Sequence, residues 1–355
     1  MTNSSETINL PLKMNTAHFL TILSFLLISL SELSAQNNGD FPASLRICSD
    51  NDFYKMRDGT DRYYSSGLTA EFQPGTRQER IGLKAAFPRL SSCRTAETIL
   101  RYGFLMQTYT PENIYDLSGQ QRSRPYCGLT MLSLSGVSNS LAKQHRLSTS
   151  YSAGMMGPLT MQKELQMWYH RKTGRRQPLG WENQIANDLA LNAALLYERN
   201  IWRPVSNFEL IGMAEGNCGT VMNFAGLGVQ CRLGFLNDYF SNVMGFFPAS
   251  ASKNNKPENK AIENKFIRYQ FYFFGKSVGR MVYDNSLLEA GYFNFRNSPY
   301  KLGKEEIEKF YAQFEFGYVF SCRRFSLTFS QTFRTKEFKT GKTAQWGSIT
   351  MACQL

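Results

Sequence analysis

Beyond residue 35 the sequence holds two histidines, His145 and His170. Imidazole has an ordinary pKa close to neutral pH, and in its neutral form it can take a proton from a water molecule that attacks an ester carbonyl. Asp52 offers the hard oxygen atoms that calcium prefers, and a bound divalent cation can polarise that carbonyl. Ser65 adds a hydroxyl that can support such a reaction through a hydrogen bond. These side chains permit ester hydrolysis only if the fold brings them together.

Most of the sequence beyond residue 35 alternates polar and apolar residues, in segments long enough to cross a membrane as tilted strands of about 9–11 residues. Between Lys309 and Phe320 every second residue from Phe310 is apolar, and most of these are Phe or Tyr. A soluble β-sandwich also alternates. The aromatic residues on the apolar face, and a strand-like pattern that continues to Leu355, favour a closed transmembrane barrel instead.

Thirteen segments are predicted to be strands: 44–52, 63–74, 99–109, 126–138, 145–155, 189–199, 206–214, 220–235, 264–274, 284–296, 308–321, 323–334 and 344–354. A bacterial barrel made by one chain has an even number of strands, so one segment between 206 and 296 is expected to be a loop hairpin or half of a longer strand. The predicted fold class is all-β, an antiparallel transmembrane β-barrel of about 12 strands. The polar stretch Ser250–Lys265 is predicted to be a surface loop.

One segment lacks the alternation and is predicted to be a short helix near the outer mouth of the barrel. It runs from Leu159 to Lys172 and is rich in helix formers, with Pro158 suited to a first helical position and Gly174 suited to the end. Its polar stripe is formed by Lys163, Gln166 and His170, and its apolar side by Met161, Leu165 and Trp168. The apolar side is predicted to pack on the barrel wall.

Counting strands from a periplasmic start places Asp52, Ser65 and the beginning of this helix at the same, outer mouth. Strand alternation then sets the direction of each side chain. With Leu68 and Phe72 facing lipid, Ser65 is predicted to point into the barrel. The same rule turns Asp52 inward and Asn51 outward, unless the strand bends there.

Residues 1–35 are predicted to be a signal peptide, because Lys13 precedes a short apolar run from Phe19 to Leu30 and small residues follow before Gln36. The run falls short of the roughly 20 residues that a membrane-spanning helix needs, which argues against an anchor. Residues 36–355 are then expected to form one barrel domain in the outer membrane.

Composition indicates the kind of partner. The net charge is +12, and a basic exported protein suits an anionic partner such as lipopolysaccharide or another outer-membrane lipid. Export argues against nucleic acid. The seven cysteines are odd in number and show neither CxxC nor metal-ligand spacing, so no disulfide framework is predicted.

Six short motifs occur in the order found in lipid A 3′-O-deacylases. They are Ser49–Tyr54, Thr60–Gly67, Tyr109-Thr110-Pro111, Arg124-Pro125-Tyr126 with Gly128, Gly157-Pro158 followed by Met161, Gln166 and His170, and Gly180–Gln184 with Asn187. The motifs cover roughly the first half of the mature chain, and the rest matches by its barrel pattern alone. The sequence therefore resembles this family. Within the last motif, Gly180–Gln184 is interpreted as a structural turn that leads into the sixth strand.

The resemblance implies a 12-stranded outer-membrane enzyme that hydrolyses an ester-linked acyl chain of lipid A with the help of Ca²⁺. The site it implies lies between the barrel wall and the helix. His170 matches the general base, Asn51 and Asp52 match an Asn-Asp pair with Asp52 as calcium ligand, and Gln166 matches the helix glutamine. Ser65 matches an essential hydroxyl that is Thr in the family pattern. Lipid A or lipopolysaccharide and outer-membrane lipid are the predicted partners of a monomeric protein.

Two departures from the family pattern concern charge. The basic pair expected after Thr110-Pro111 is absent, since Asn113–Asp116 stands there, and Arg122 or Arg124 is the available substitute. The acidic residue expected shortly after the histidine is replaced by Arg175-Arg176. The contact to an oxyanion or a phosphate group therefore differs from the family pattern.

Three alternatives stay open at the level of sequence. Ser65 can be a nucleophile, although the absence of a GxSxG elbow favours a supporting role. The barrel can be a non-enzymatic pore or binding protein whose polar residues fill the lumen. It can also be an outer-membrane phospholipase, because phospholipid and lipid A both present an ester beside phosphate.

Overall fold

The computed structural model describes residues 43–54, 62–75, 81–91, 98–118, 120–241, 267, 269–293, 296–322 and 324–355. The twelve strands in these ranges form one closed antiparallel barrel, in which successive strands pair and β1 pairs with β12. The strands are β1 (Ser44–Asn51), β2 (Tyr63–Gln73), β3 (Ile99–Thr110), β4 (Cys127–Ser140), β5 (His145–Met156), β6 (Asp188–Val205), β7 (Phe208–Gly219), β8 (Met222–Phe235), β9 (Tyr269–Asn285), β10 (Phe310–Cys322), β11 (Phe325–Arg334) and β12 (Ala344–Gln354). The predicted fold class is confirmed. The predicted signal peptide and the loop Ser250–Lys265 lie outside the described residues.

Three short helices accompany the strands in the described ranges: α1 (Ile81–Lys84), α2 (Gln162–Lys172) and α3 (Ser286–Glu289). Helix α2 confirms the helix predicted after Gly157-Pro158, and a 3₁₀ turn at Pro158–Thr160 precedes it. Among the described residues, no helix combines the length and the apolar character that crossing a membrane requires.

The strand predicted at 284–296 is wrong. β9 includes most of the predicted segment 264–274 and continues to Asn285. There the Asn285 side chain accepts a 3.2 Å hydrogen bond from the backbone N–H of Leu287 and starts α3. Asparagine is a preferred residue at a helix start because its side-chain oxygen satisfies such a donor. The one predicted strand that does not form thus lies between residues 206 and 296, where the even strand number of a barrel had placed it.

Alternation predicts the outer surface of the barrel correctly on β10 and β11. Phe314 and Phe316 are exposed, whereas Tyr311 on the other face is buried. Phe316 stacks on Phe333 of β11 with ring centroids 5.8 Å apart. Exposed aromatic residues around a closed barrel form the surface that lipid covers in membrane barrels.

The two ends of the barrel are both filled by packed side chains. Ser44 pairs with Gln354, so β1 begins and β12 ends at the same end, which we call the terminal end. The opposite end, which we call the loop end, is filled by an apolar cluster that includes Tyr63, Tyr64, Leu288, Phe338 and Trp346. At the terminal end Arg146 lies against the rings of Tyr239 and Phe240.

A polar cavity of about 690 Å³ remains between the two ends. Three ion pairs line it: Arg46 with Glu71 at 2.7 Å, Arg146 with Glu198 at 3.7 Å, and Arg280 with Glu215 at 2.5 Å. The six cysteines in the described ranges are all free, in agreement with the prediction of no disulfide framework. Strand closure and interior ion pairs therefore tie the barrel together in the part of the chain that the structure describes.

Candidate active site

A row of small and polar residues crosses four strands at the loop end of the barrel. Its members pair from strand to strand in the order Asn51, Ser66, Thr108 and Gly128. Paired residues of neighbouring strands point to the same side of a sheet. Because Gln107, next to Thr108, lines the interior, the row faces outward.

Helix α2 lies against this outward row. Ser66 Oγ donates a 3.2 Å hydrogen bond to Thr108 Oγ1, which donates one of 2.6 Å to Gln162 Oε1 at the start of the helix. Gly128 allows the close approach, because a Cβ there would lie 2.0 Å from Thr160 Oγ1. The helix is therefore held on the outer surface of the barrel wall.

The face that α2 turns to the wall is polar. Its buried residues are Gln162, Gln166 and His170, whereas Trp168 is 40% exposed. The prediction that the apolar side packs on the wall is therefore wrong. The wall offers hydroxyl partners to the polar stripe, since Thr108 bonds Gln162 and Ser65 bonds Gln166.

Ser65 reaches the helix because it lies in a β-bulge. The register between β2 and β3 shifts between Tyr64 and Ser66, and such an extra residue re-aims the side chains around it. Tyr64 turns inward, where its hydroxyl donates a 2.8 Å hydrogen bond to Asp50. Ser65 Oγ accepts a 3.3 Å hydrogen bond from Gln166 Nε2 instead. The inward direction predicted for Ser65 is wrong, since alternation assumes an unbroken strand.

Gln166 joins Ser65 to the segment that follows the helix. Its Oε1 accepts a 2.8 Å hydrogen bond from the indole N–H of Trp181, and because indole only donates, the amide must present its NH₂ group to Ser65. Trp181 is 1% exposed and its ring centroid lies 4.4 Å from that of Tyr126. Gly180–Gln184 is a turn, as predicted. Sequence reasoning missed that its tryptophan orients Gln166, although a tryptophan directly after a turn glycine was an available signal.

His170 is buried, at 2% exposure, one helical turn beyond Gln166. Its Nδ1 lies 2.7 Å from the backbone oxygen of Arg176. Since a carbonyl only accepts, Nδ1 carries the proton, and the lone pair of the neutral ring is on Nε2. The local chain reversal makes this contact possible: Gly174 has a φ of 68°, and the N–H of Arg175 donates a 2.8 Å hydrogen bond to the His170 carbonyl, as in a Schellman cap.

Asn51 and Asp52 form the turn at the end of β1. Asn51 Oδ1 accepts a 2.8 Å hydrogen bond from the backbone N–H of Phe53, and the chain continues as a 3₁₀ turn in which Asp52 is buried. Gln331 Nε2 of β11 holds this turn through a 2.8 Å hydrogen bond to the Tyr54 carbonyl. Asn51 faces outward, on the side of the wall where α2 lies, and the strand does not bend there.

The structure thus brings Ser65 and Gln166 into contact, with His170 buried one helical turn farther along α2. Asn51 lies in the adjacent row, and the turn that holds Asp52 follows it directly. Arg175 links that turn to the helix, because its guanidinium carbon lies 5.2 Å from the ring centroid of Phe53.

Of the two proposed substitutes for the missing basic pair, Arg124 is engaged by a carboxylate. Arg124 is 1% exposed and pairs with Glu337 at 2.5 Å. Burial by itself raises the pKa of Glu337, but the guanidinium groups of Arg124 and Arg334 outweigh it and hold that pKa below the ordinary value. The backbone of Arg122 is tied to Thr340 by a 2.9 Å hydrogen bond, and its side chain is exposed.

The acidic residues of the described ranges do not cluster into a preformed metal centre. No group of three or more His, Cys, Asp or Glu side chains in these ranges is arranged to hold a metal ion.

Comparisons with known proteins agree with this architecture. The family model described as "Outer membrane protein LpxR" matches residues 20–355. The solved structure of LpxR from Salmonella typhimurium is similar in fold, with a TM-score of 0.64 and 17% identity over 88% of this chain and 100% of that one. The β domain of the Bordetella autotransporter BrkA matches with a TM-score of 0.41 and 10% identity over 88% and 99% of the two chains. No curated protein sequence matches the chain.

Proposed function

The chain belongs to the LpxR family of outer-membrane proteins, and from that premise we propose that it is a lipid A 3′-O-deacylase that acts as a monomer in the outer membrane. The observation that carries the proposal is the buried His170, whose Nδ1–H is anchored on the Arg176 carbonyl beside the Ser65–Gln166 hydrogen bond. A buried histidine with a fixed tautomer is the arrangement expected of a general base.

The position of these residues on the barrel supports a lipid substrate. They lie between helix α2 and the outward face of the wall, which is the side that lipid covers. A pore would use the polar residues of its lumen, whereas Gln166 and Ser65 meet on the outer side of the wall. An ester of a membrane lipid can reach this site without entering the barrel.

In the proposed reaction His170 Nε2 takes a proton from a water molecule while the water oxygen attacks the ester carbonyl carbon. The tetrahedral intermediate collapses when the C–O bond to the sugar breaks, and the imidazolium returns its proton to the sugar oxygen. The products are a free fatty acid and a sugar hydroxyl. The Arg176 carbonyl stabilises the imidazolium by accepting from Nδ1–H, and Gln166 holds Ser65 as a hydrogen-bonding partner of the reacting groups.

We propose Asp52 as a calcium ligand. Its buried carboxylate suits calcium in kind, because calcium takes oxygen ligands and accepts backbone carbonyls and water beside carboxylates. When bound, the ion would polarise the ester carbonyl and stabilise its oxyanion.

The test is mass spectrometry of lipid A from cells with and without the protein, followed by assays of purified protein on lipid A and on glycerophospholipid. We expect loss of one ester-linked acyl chain from lipid A alone. A chelator should abolish the reaction, and calcium should restore it better than magnesium. Cleavage of phospholipid alone would replace the proposal with a phospholipase, and cleavage of neither lipid would leave a non-enzymatic barrel.

A further inference from the structure

Two arginines that the proposed reaction does not use as acids or bases converge beside its histidine. The guanidinium carbon of Arg175 lies 5.2 Å from the ring centroid of Phe53 and 5.9 Å from that of Tyr169. The guanidinium carbon of Arg176 lies 5.4 Å from the ring centroid of Tyr115. The three rings belong to the turn after β1, to helix α2 and to the loop after β3. Both arginines therefore lie where the segments around the site meet.

These arginines differ from those of the barrel interior in what surrounds them. Within the ranges that the structure describes, no carboxylate forms an ion pair with Arg175 or Arg176. An aromatic face attracts a guanidinium group without neutralising it and leaves its N–H edge available for hydrogen bonds. Arg176 is exposed and Arg175 is half-buried. Two cationic groups are thus held in place at the surface of the site.

We propose that Arg175 and Arg176 form a phosphate-binding site that holds the phosphorylated headgroup of the lipid substrate beside His170. The inference rests on the proposed function and specifies the substrate as a phosphorylated glycolipid. Guanidinium groups match phosphate oxygens in pairs of parallel N–H···O bonds, which fix orientation as well as adding affinity. The Arg176 guanidinium lies on Tyr115, whose ring centroid is 6.5 Å from that of His170, so a phosphate bound by Arg176 would lie near the imidazole.

This site also accounts for the two departures in charge noted in the sequence. The basic pair expected after Thr110-Pro111 is absent, and Arg124 is engaged by Glu337. Arg175 and Arg176 supply two positive charges from the segment after α2, and Arg176 lies against Tyr115 of the same loop that lacks the basic pair. A carboxylate at either position would repel a phosphate, so the exchange of an acidic residue for arginine and the loss of the basic pair compensate each other.

The test compares binding of bisphosphorylated and dephosphorylated lipid A to the purified full-length protein, in a His170→Gln background that stops the proposed turnover. Arg175→Gln and Arg176→Gln are each expected to weaken binding of the phosphorylated lipid by about 10-fold, since each removes hydrogen bonds to a charged group. Binding of the dephosphorylated lipid should not change. Arg171→Gln is the charge-matched control, because Arg171 is exposed near the end of the same helix, and it should keep the preference.

Equal weakening on both lipids would overturn the proposal, because it would indicate that the arginines only support the fold. Unchanged binding of the phosphorylated lipid in both variants would also overturn it. Binding of inorganic phosphate that depends on Arg175 and Arg176, together with lipid binding that does not, would identify a site for the free ion and overturn the headgroup assignment. A separate assay uses protein that keeps His170. If this protein releases no acyl chain from any lipid, the proposed function is contradicted. The phosphate site would still be supported by a preference for phosphorylated lipid that depends on Arg175 and Arg176.

Discussion

The helix–wall site and the interior of the barrel are both buried and polar, but their polar groups are satisfied in different ways. In the interior and at the loop end, charges meet opposite charges, as where Glu337 contacts Arg124 at 2.5 Å and Arg334 at 3.1 Å. At the site, neutral groups meet neutral groups, from the Trp181 indole through Gln166 to Ser65. The two regions lie on opposite faces of the same strands.

This difference indicates that the interior stabilises the barrel and that the helix–wall site is suited to the proposed reaction. A buried charge that has its full set of partners holds strands and loops together, and removing one partner leaves the other charge in a medium where it is very unfavourable. A chain of neutral hydrogen bonds costs less to bury and fixes the direction of each group. Substitutions in the interior should therefore lower the stability of the barrel, whereas substitutions at the site should lower its activity.

The largest effect is expected at His170. His170→Ala and His170→Gln should reduce the rate of deacylation by about 10²–10⁴, because a general base typically contributes that factor. The barrel should stay folded, since its strands pair independently of this side chain. The measurement is the number of acyl chains on lipid A by mass spectrometry, with heat-modifiable gel mobility as the check on folding.

His145→Ala is the matched control for His170. His145 starts β5 at the terminal end, and the 12-residue strand separates it from the loop end by about 35 Å at roughly 3.3 Å per residue. Its variant should keep the activity. Near wild-type deacylation by folded His170→Ala protein would contradict the assignment of the base and favour Ser65 as a nucleophile.

The next effect in size concerns the interior. Glu337→Gln should lower the free energy of unfolding by about 3–5 kcal/mol, because it leaves Arg124 and Arg334 without their shared carboxylate. Denaturant titration of the folded barrel measures this, and the deacylation rate of the folded fraction should not change. Lys336→Gln is the control, since its ion pair with Glu308 is partly exposed and should contribute only about 0–1 kcal/mol.

Acid titration sharpens the same prediction. Because the pKa of Glu337 is lowered in the folded protein, its stabilising effect is complete above the ordinary carboxyl value of 4.5 and is lost as the pH falls through the lowered value. Wild-type protein should therefore lose stability in this acid range, and Glu337→Gln protein should lose less. Equal acid sensitivity of both proteins would contradict a role for this carboxylate.

Asp52→Asn is expected to reduce activity by about 10²-fold, since an amide is a much weaker calcium ligand than a carboxylate. High calcium concentrations should restore part of the activity, which can be followed by titrating calcium in the deacylation assay. Asp50→Asn is the control, because Asp50 lies two residues earlier and faces the interior. An equal loss in both variants would show that the two faces of β1 do not differ as proposed.

The smallest effect is expected from Trp181→Phe, which removes the indole N–H and leaves the Gln166 oxygen without this donor. An unsatisfied buried acceptor costs about 1–3 kcal/mol, so the deacylation rate should fall by roughly 10-fold as Gln166 loses its fixed orientation. Trp168→Phe on the exposed side of α2 should have no such effect. Deacylation rates of the two folded variants decide whether the hydrogen bonds from Trp181 through Gln166 to Ser65 contribute to catalysis.

The sequence predicted the barrel well because alternation reports directly on a wall that has lipid on one side and a polar interior on the other. It also predicted the helix that carries Gln166 and His170, and the turn at Trp181. The direction of Ser65 was wrong, because a bulge changes the phase of a strand through one extra residue that no period reveals. The predicted orientation of α2 was wrong as well. The helical period identifies a polar and an apolar side, but it does not show which of them faces the barrel wall. The carbonyl partner of His170 depends on a chain reversal and has no signature in residue types.

The closure of β1 on β12 has a consequence for when the protein acquires its activity during biogenesis. Asn51 pairs with Gly347, where a Cβ would lie 2.5 Å from the Tyr54 backbone oxygen, and Gln331 of β11 holds the same turn. The turn after the first strand to leave the ribosome thus receives contacts from the last two strands. An unassembled chain in transit would lack the ordered Asn51–Asp52 turn and could not hydrolyse newly made lipid A before insertion. Completion of the barrel would then act as a checkpoint that confines the reaction to the destination membrane.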